Sequence, residues 1–571
     1  MRRFTFSVML ALATVAVNAQ ELAAPTWTQK LTTTETASDL QRGGAMAVDN
    51  DGNSIVTGSF TKDLEFGSSY LEPTATSAFI AKYDKAGKEK WAAGLSGAAT
   101  ITTVTTDAEG NIYAAGVFAD EVKILNGNGE TKETITGMAD QTSQVSGFIV
   151  KYNKDGEYVT SKVVIPEITC TDDSYWAADP AFTPKKIAVC GDKIILSASY
   201  KCTSHIDDLT LEGQYGYQDW GYTWDIPTLG IISMSKDLNN TSLVAQLAAT
   251  EKLTSVGYGA EDVNFTTDGS KVYAGFVVYG DNLTMKSVND SKQITDLLTQ
   301  TDGEETKYEH AFIVATIENG NITNTQTFHS QIDDKIGSAK FNAIDEMTYH
   351  NGNIYLAGTF NETFPFDNSK SYVGGCDTYL ASLKAEDLSK NWALTSGYDE
   401  GDANKNAEVV SGMAVYDDEI LMAGWTEATN KHIVNTPLNF NIDLEETPSE
   451  MEVVTGSNAI FATSVAHNGP YTIAQSDNKQ EDGATEGVYT YRFDNDNDDP
   501  TGIKQIAATA DNTINFDGNT VTLAKAADID LYTANGALVK SAKNVTSLSL
   551  DNVANGIYLL KTGKQTIKIV K

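Results

Sequence analysis

One hairpin pattern recurs along most of the chain, and that recurrence limits the fold more than any other feature. The copies read AVDNDGNSIVTGSF from Ala47, VTTDAEGNIYAAGVF from Val104, IAVCGDKIILSASY from Ile187, VNFTTDGSKVYAGF from Val263, MTYHNGNIYLAGTF from Met347 and MAVYDDEILMAGW from Met413. Each is an apolar run, a turn rich in Gly, Asp or Asn, and a second apolar run ending in a small residue before an aromatic. Gly and Asn accept the positive φ that a tight hairpin turn requires. A second hairpin follows each first one, beginning at Ala78, Gly147, Gly230, Ala311, Thr378 and Ile460. Two hairpins make four strands, and four-stranded sheets repeated radially are the blades of a β-propeller. The expected fold is therefore all-β: a propeller of about six four-stranded blades over residues 20–476, with seven as the other count the spacing allows. Trp27 sits in a segment like those at Trp91 and Trp392, yet it precedes the first complete unit. That position predicts ring closure by an early strand, with residues 471–476 as its expected neighbour.

The turn core of these copies, Asp-x-x-Gly-Asn-x-Tyr-x-x-Gly-x-Phe, is matched most closely at Asp49, Asp107 and Met347. It resembles the bacterial secreted β-propeller repeat family (SBBP type), a resemblance that implies architecture and no particular activity. After an acidic linker expected at 477–503, residues 504–571 alternate in short apolar runs divided by Asn535-Gly536 and Asn555-Gly556. This reads as a small C-terminal β-sandwich. Leu531 to Gly536, then Asn555-Gly556-Ile557-Tyr558 and the basic ending Lys564 to Lys571, resemble the C-terminal sorting domain of the type IX (Por) secretion system. The resemblance implies secretion machinery as a partner. Its departures are Ala554, where Pro is frequent, and the missing Pro-Asn-Pro opening.

The N-terminus agrees with export. Arg2 and Arg3 precede a short apolar stretch from Phe6 to Val17, and Val17-Asn18-Ala19 has the small residues a signal peptidase needs, so residues 1–19 read as a signal peptide. The expected location is outside the cell or on its outer surface. No run after residue 19 approaches the ~20 apolar residues of a membrane-spanning helix. A formal charge of −36 would repel phosphate backbones, which argues against nucleic acid as a partner.

No linear motif announces chemistry. A nucleophile elbow, His-Glu-x-x-His, a Walker A loop and Cys-x-x-Cys are all missing, and the six histidines (His205, His310, His329, His350, His432 and His467) are scattered. On that ground the chain reads as a binding module for an extracellular glycan or protein and not as an enzyme. The alternative is a propeller enzyme, a glycoside hydrolase or lyase, acting on polysaccharide through carboxylates in the central channel. Converging channel carboxylates would favour the enzyme, and an aromatic patch on one rim would favour binding.

The aromatic candidate is QYGYQDWGYTWD, residues 214–225. With Gln218 to Gly221 as the turn, Tyr217 lies opposite Tyr222 and Tyr215 opposite Trp224, with Trp220 at the tip. Such a ladder suits stacking on sugar rings, or packing onto the propeller as an insertion's own core. No cofactor is expected, apart from a weak calcium reading of Asp494, Asp496 and Asp498. These alternate as a calcium loop begins, but Asp499 stands where the sharp turn needs Gly. Of the four cysteines, Cys170 and Cys202 flank one hairpin and are placed to bond, whereas Cys190 lies at its turn and Cys376 far along the chain.

Overall fold

The computed structural model describes residues 25–571 except 32–39, 139–142, 168–180, 214–216, 220–221, 225–226, 250–259, 280–282, 303–304, 331–341, 362, 372–375, 398–407, 417–418, 429–433, 445–446, 449–450, 452–463, 470, 478–487, 495–513, 517–518, 534–537, 555 and 563–564. The chain divides into one unit ending at Phe493 and a second beginning at Asp494. The expected signal peptide, Tyr215, Trp220, Asp496 and Asp498 lie outside the described residues.

The first unit is a seven-bladed propeller. Its seven inner strands are Leu40–Val48, Ala99–Thr106, Ala181–Cys190, Ala260–Thr267, Ala343–His350, Glu408–Tyr416 and Ser464–Asn468. Each packs against the next, and the last packs against the first, so the ring is closed. From each inner strand an antiparallel sheet runs outward, for example Ala99–Thr106, Ile112–Phe118, Ser146–Tyr152 and Tyr158–Pro166 in blade 2. Second strands such as Ile112–Phe118 are buried almost throughout because neighbouring blades cover both faces.

The count is seven because the hairpin from Ile460 belongs to a new blade. The sequence reading made it the outer half of the sixth unit. Instead, Ser464–Asn468 and Tyr471–Asp477 are the inner pair of blade 7, and blade 6 has Val434–Asp443 as its third strand. An inner and an outer hairpin carry the same local signal, so the pattern alone does not tell them apart.

Closure also differs in detail from the expectation. Trp27–Leu31 is indeed an outer strand supplied from the start of the chain, in the position that Trp91 and Trp392 occupy in their own blades. Its neighbour is Val488–Asp494, in register from Trp27 opposite Arg492 to Leu31 opposite Val488. Tyr471–Asp477 lies one strand further in. The expected acidic linker at 477–503 is thus partly a strand, with Asp494 as its last residue; the acidic run that suggested a linker starts only where this strand ends.

Blades 1 to 3 are widened to six strands by hairpins inserted in the following blade. Glu121–Leu125 pairs with Glu89–Ser96, Ser204–Ile206 with Tyr158–Pro166, and Leu283–Lys286 with Ser242–Ala249. This accounts for repeat units longer than a four-stranded blade needs, and it covers edges that would otherwise offer open backbone.

The Asp-x-x-Gly-Asn core builds turns. Asp49 Oδ1 accepts the backbone N–H groups of Asp51 (3.1 Å) and Asn53 (2.8 Å), while Gly52 takes φ +78°. Asp107 does the same for Glu109 and Asn111. These carboxylates serve hairpin geometry.

The second unit is a five-stranded antiparallel sheet over residues 514–570. Its long strand Thr520–Thr533 pairs with Leu538–Ser549 along one edge, and with Ile514–Phe516 and Ile557–Thr562 at opposite ends of the other. Repeated register breaks in the long pair let both ends contribute to one core, which includes Val521, Ile529, Leu531, Leu550 and Leu560.

Candidate active site in the propeller channel

The inner strands surround a channel of about 650 Å³. A regular strand sends alternate side chains away from a channel, yet here consecutive residues line it: Thr102 with Thr103, Lys185 with Lys186, and Asp345 with Glu346. The cause is a bulge at one level of the ring. Register slips between Ile101 and Thr103, Pro184 and Lys186, Ala260 and Asp262, Ala343 and Glu346, and Val410 and Gly412. Each bulge re-aims a side chain and pushes a carbonyl toward the second strand.

The glycine near the end of several copies is the other half of this arrangement. A Cβ at Gly116 would lie 2.0 Å from Thr100 O, at Gly358 2.0 Å from Ala343 O, and at Gly424 2.1 Å from Val409 O. Gly358→Ala is therefore expected to destabilise the fold by roughly 1–3 kcal/mol, because the obstructing atom is backbone and must move. The bulge carrying Asp345 would move with it. Thermal melts alongside an activity assay check both effects.

Among the described lining residues, Lys185 and Lys186 come from blade 3, and Asp345 and Glu346 from blade 5; Asp262 of blade 4 stands beside Lys185 without itself lining the channel. At the same level the other blades supply Gly44, Thr102, Thr103, Ser411 and Ser464. Lys185 Nζ lies 3.6 Å from Asp262 Oδ1. Lys186 reaches past blade 4 to blade 5, donating to Met347 O at 2.6 Å and lying 3.5 Å from Glu346 Oε2.

The three carboxyl groups have different surroundings. Asp262 Oδ2 accepts the Ile344 N–H at 3.1 Å, which makes it a fastener between adjacent inner strands. Asn264 works alongside it, donating to Ile344 O and Asp345 O. Glu346 is paired with Lys186. Asp345 Oδ2 has no hydrogen-bond partner among the described residues, although it is walled in by protein. Burial, and then the charges of Asp262 and Glu346, hold Asp345 well above the usual carboxylate range, so it keeps its proton most readily. Glu346 and Asp262 are also raised by burial, against the lowering effect of Lys186 and Lys185 respectively.

His467 lines the same channel, with its Nδ1 lacking a hydrogen-bond partner among the described residues. Burial, then the nearby His350 and Lys186 charges, lower it to about 4. The unfolded chain, with an imidazole near 6.5, therefore protonates first on acidification. Stability contributed by neutral His467 is complete above pH 6.5 and is lost as pH falls toward 4, a difference of about 3 kcal/mol. His467→Leu is expected to remove that acid-side loss. Denaturant midpoints of both proteins at several pH values test it, and parallel pH curves would contradict it.

The aromatic segment forms a hairpin, but in another register. Tyr217 pairs with Trp224, Gln218 with Thr223 and Asp219 with Tyr222, so the loop is residues 220–221 and not Gln218 to Gly221. The two-residue shift keeps the alternation in phase. A Trp-Gly tip suits a two-residue hairpin loop better than the four-residue loop first assumed. The hairpin joins the second and third strands of blade 3, at the channel end where the inner strands begin. Asp262 and Asp345 lie close to that same end of their strands.

Three further described histidines have partners of their own. His205 pairs with Glu167 at 2.5 Å, His329 with buried Glu309 at 2.8 Å, and His310 packs on Tyr279. Cys202 is disulfide-bonded, while Cys190 and Cys376 are thiols. Cys170 is the only other cysteine in the chain, in keeping with the pair that flanks the hairpin.

Sequence reading missed Lys185, Lys186, Asp262, Asp345 and Glu346. A signal was present: they stand directly before the copies that begin at Ile187, Val263 and Met347, where the other copies have the uncharged pairs Ala45-Met46, Thr102-Thr103 and Ser411-Gly412.

No family model matches the chain. An uncharacterised WD repeat-containing protein of Acanthamoeba polyphaga mimivirus is 35% identical over 125 residues, 19% of this chain and only 9% of that protein. Among solved structures, the Dos1 propeller covers 82% of this chain and 94% of its own at 10% identity and a TM-score of 0.37. An α-L-arabinofuranosidase of Fusarium graminearum covers 74% and 98% at 10% identity and 0.34. The hemagglutinin-neuraminidase of parainfluenza virus 5 covers 75% and 94% at 9% identity and 0.33. These are likenesses of fold. They correct one expectation nonetheless: enzymes stand among the similar propellers, so missing linear motifs do not make this chain a non-enzyme. Two carboxyl-bearing residues, Asp345 and Glu346, line its channel. The chain is a β-propeller.

Proposed function

We propose that the channel cleaves a glycan by acid/base hydrolysis. The observation that supports this is the meeting of Asp345 and Glu346 on one bulge, with Lys186 beside Glu346 favouring its charged form against burial, and no described residue engaging Asp345 Oδ2. In this reading Asp345 gives its proton to the glycosidic oxygen as the bond from that oxygen to the anomeric carbon breaks. Glu346 takes a proton from the water that bonds to the anomeric carbon. Both residues already line the channel. Incubating the purified chain with a panel of plant, algal and microbial polysaccharides, and measuring new reducing ends, tests the proposal. Activity should fall as pH rises through the raised Asp345 titration, because the acid form is consumed. A panel without new reducing ends would overturn it.

The aromatic hairpin fits this reading as an outer glycan contact, with Tyr215, Tyr217, Trp220, Tyr222 and Trp224 as its stacking candidates. Stacking is worth about 0.5–1.5 kcal/mol beyond area burial. Trp224→Ala is therefore expected to raise KM several-fold with kcat little changed. A change in kcat alone would place Trp224 elsewhere in the account.

The setting is proposed from sequence alone: export through residues 1–19, with the C-terminal unit as a type IX sorting signal. Extracellular polysaccharide would then be within reach. Fractionating the native host and finding the chain inside the cell would remove that setting.

A further inference from the structure

Lys185 is the channel cation least occupied by its surroundings. Lys186 is committed to Met347 O and Glu346. Lys185 has one loose neighbour, Asp262 at 3.6 Å, and Asp262 is itself fastened to the Ile344 N–H. The Lys185 side chain keeps 43% of its surface open. An ammonium has three donors, and Lys185 lines the channel. Its charge also acts on Asp345, which places it near the proposed acid. The described lining of the other blades carries no Lys, Arg, Asp or Glu, so no competing charge of that kind faces a sugar there.

We infer that the channel takes a carboxylated glycan, a uronate polymer, whose carboxylate is bound by the Lys185 ammonium while the adjoining glycosidic oxygen faces Asp345. This rests on the channel being the glycan site. A uronate carboxylate is attached to the sugar ring itself, so one ring spans the ammonium and the acid. The bulge matters here too: without the extra residue at Pro184 to Lys186, Lys185 and Lys186 would point to opposite sides of the strand. The net charge of −36 repels a polyanion overall, so a channel ammonium is a local attraction set against that background.

The test uses matched oligosaccharides of galacturonate, glucuronate and mannuronate, each as free acid and as methyl ester, with the full chain and its Lys185→Gln and Lys185→Arg variants. A charge-assisted contact of about 1.5–3 kcal/mol corresponds to roughly ten- to hundredfold tighter binding of at least one free acid over its ester. Lys185→Gln should erase that preference and leave ester binding within about twofold, a built-in check that the variant is folded. Lys185→Arg should retain it, and the preference should shrink with added salt. Acid and ester binding equally, or a preference that survives Lys185→Gln, overturns the uronate inference while leaving the channel site standing. No binding of any form, together with no cleavage of neutral polysaccharides, overturns the site itself.

Discussion

Asp345→Asn is expected to lower glycan cleavage by about a hundred- to ten-thousandfold, the usual contribution of a general acid, while leaving ligand affinity nearly intact. The substitution keeps the shape and removes only the transferable proton. It should not unfold the ring, because Asp345 Oδ2 makes no hydrogen bond among the described residues that the amide would break. Stability should even rise slightly at neutral pH, since a carboxyl held above its ordinary pKa by burial opposes folding once ionised. Glu346→Gln separates the two roles. It should also lose activity, but it leaves Lys186 facing a neutral partner, so a lower melting temperature should accompany the loss. Equal losses of activity and stability in both variants would mark the cluster as a structural fastener. Asp262 supplies the contrast, because its bond to the Ile344 N–H predicts mainly a stability cost for Asp262→Asn.

The second large effect concerns ring closure. Arg492, on the strand paired with Trp27–Leu31, is fully buried and is the largest side chain so placed among the described residues. It lies 4.4 Å from the Tyr471 ring centroid and donates through Nη1 to Gly52 O in the first turn of blade 1. Tyr471 in turn lies against Gly52, where a Cβ would stand 2.8 Å from its ring. One guanidinium thus joins the start of the propeller to its end. Arg492→Leu fills part of the space, but it leaves the Gly52 carbonyl and the ring face without their cation, at an expected cost of about 3–5 kcal/mol. The predicted signs are a lower melting temperature and faster proteolysis beginning at the Trp27–Leu31 and Val488–Asp494 pair. Unchanged stability would mean that strand pairing alone closes the ring. Gly52→Val should mimic the loss from the other side, since φ +78° and the Tyr471 contact both exclude a branched side chain.

Much of this architecture could be read from the chain. The hairpin copies locate the first two strands of blades 1 to 6, and Trp27 is placed as a late outer strand because it matches Trp91 and Trp392. What failed was pairing at a distance. Val488 to Asp494 runs into an acidic segment and carries no repeat signal, so its role as partner of Trp27 to Leu31 is fixed only by closure of the ring. The hairpin at Ile460 was assigned to the wrong blade because inner and outer hairpins look alike locally. The site was less legible for a related reason. Period-two alternation sends Lys185 and Lys186, or Asp345 and Glu346, to opposite faces, and only the bulge brings each pair to one channel. The glycine before the final aromatic was visible in most copies, but its cause, a bulged carbonyl 2.0 Å from where a Cβ would sit, is a tertiary fact.

A crystal structure of the protein soaked with a uronate oligosaccharide would test the channel assignment most directly. The account predicts a sugar ring inside the channel, with its carboxylate on Lys185 and a glycosidic oxygen within hydrogen-bond reach of Asp345. A sugar held only on the Tyr217–Trp224 hairpin, with the channel closed to it at saturating ligand, would contradict the account.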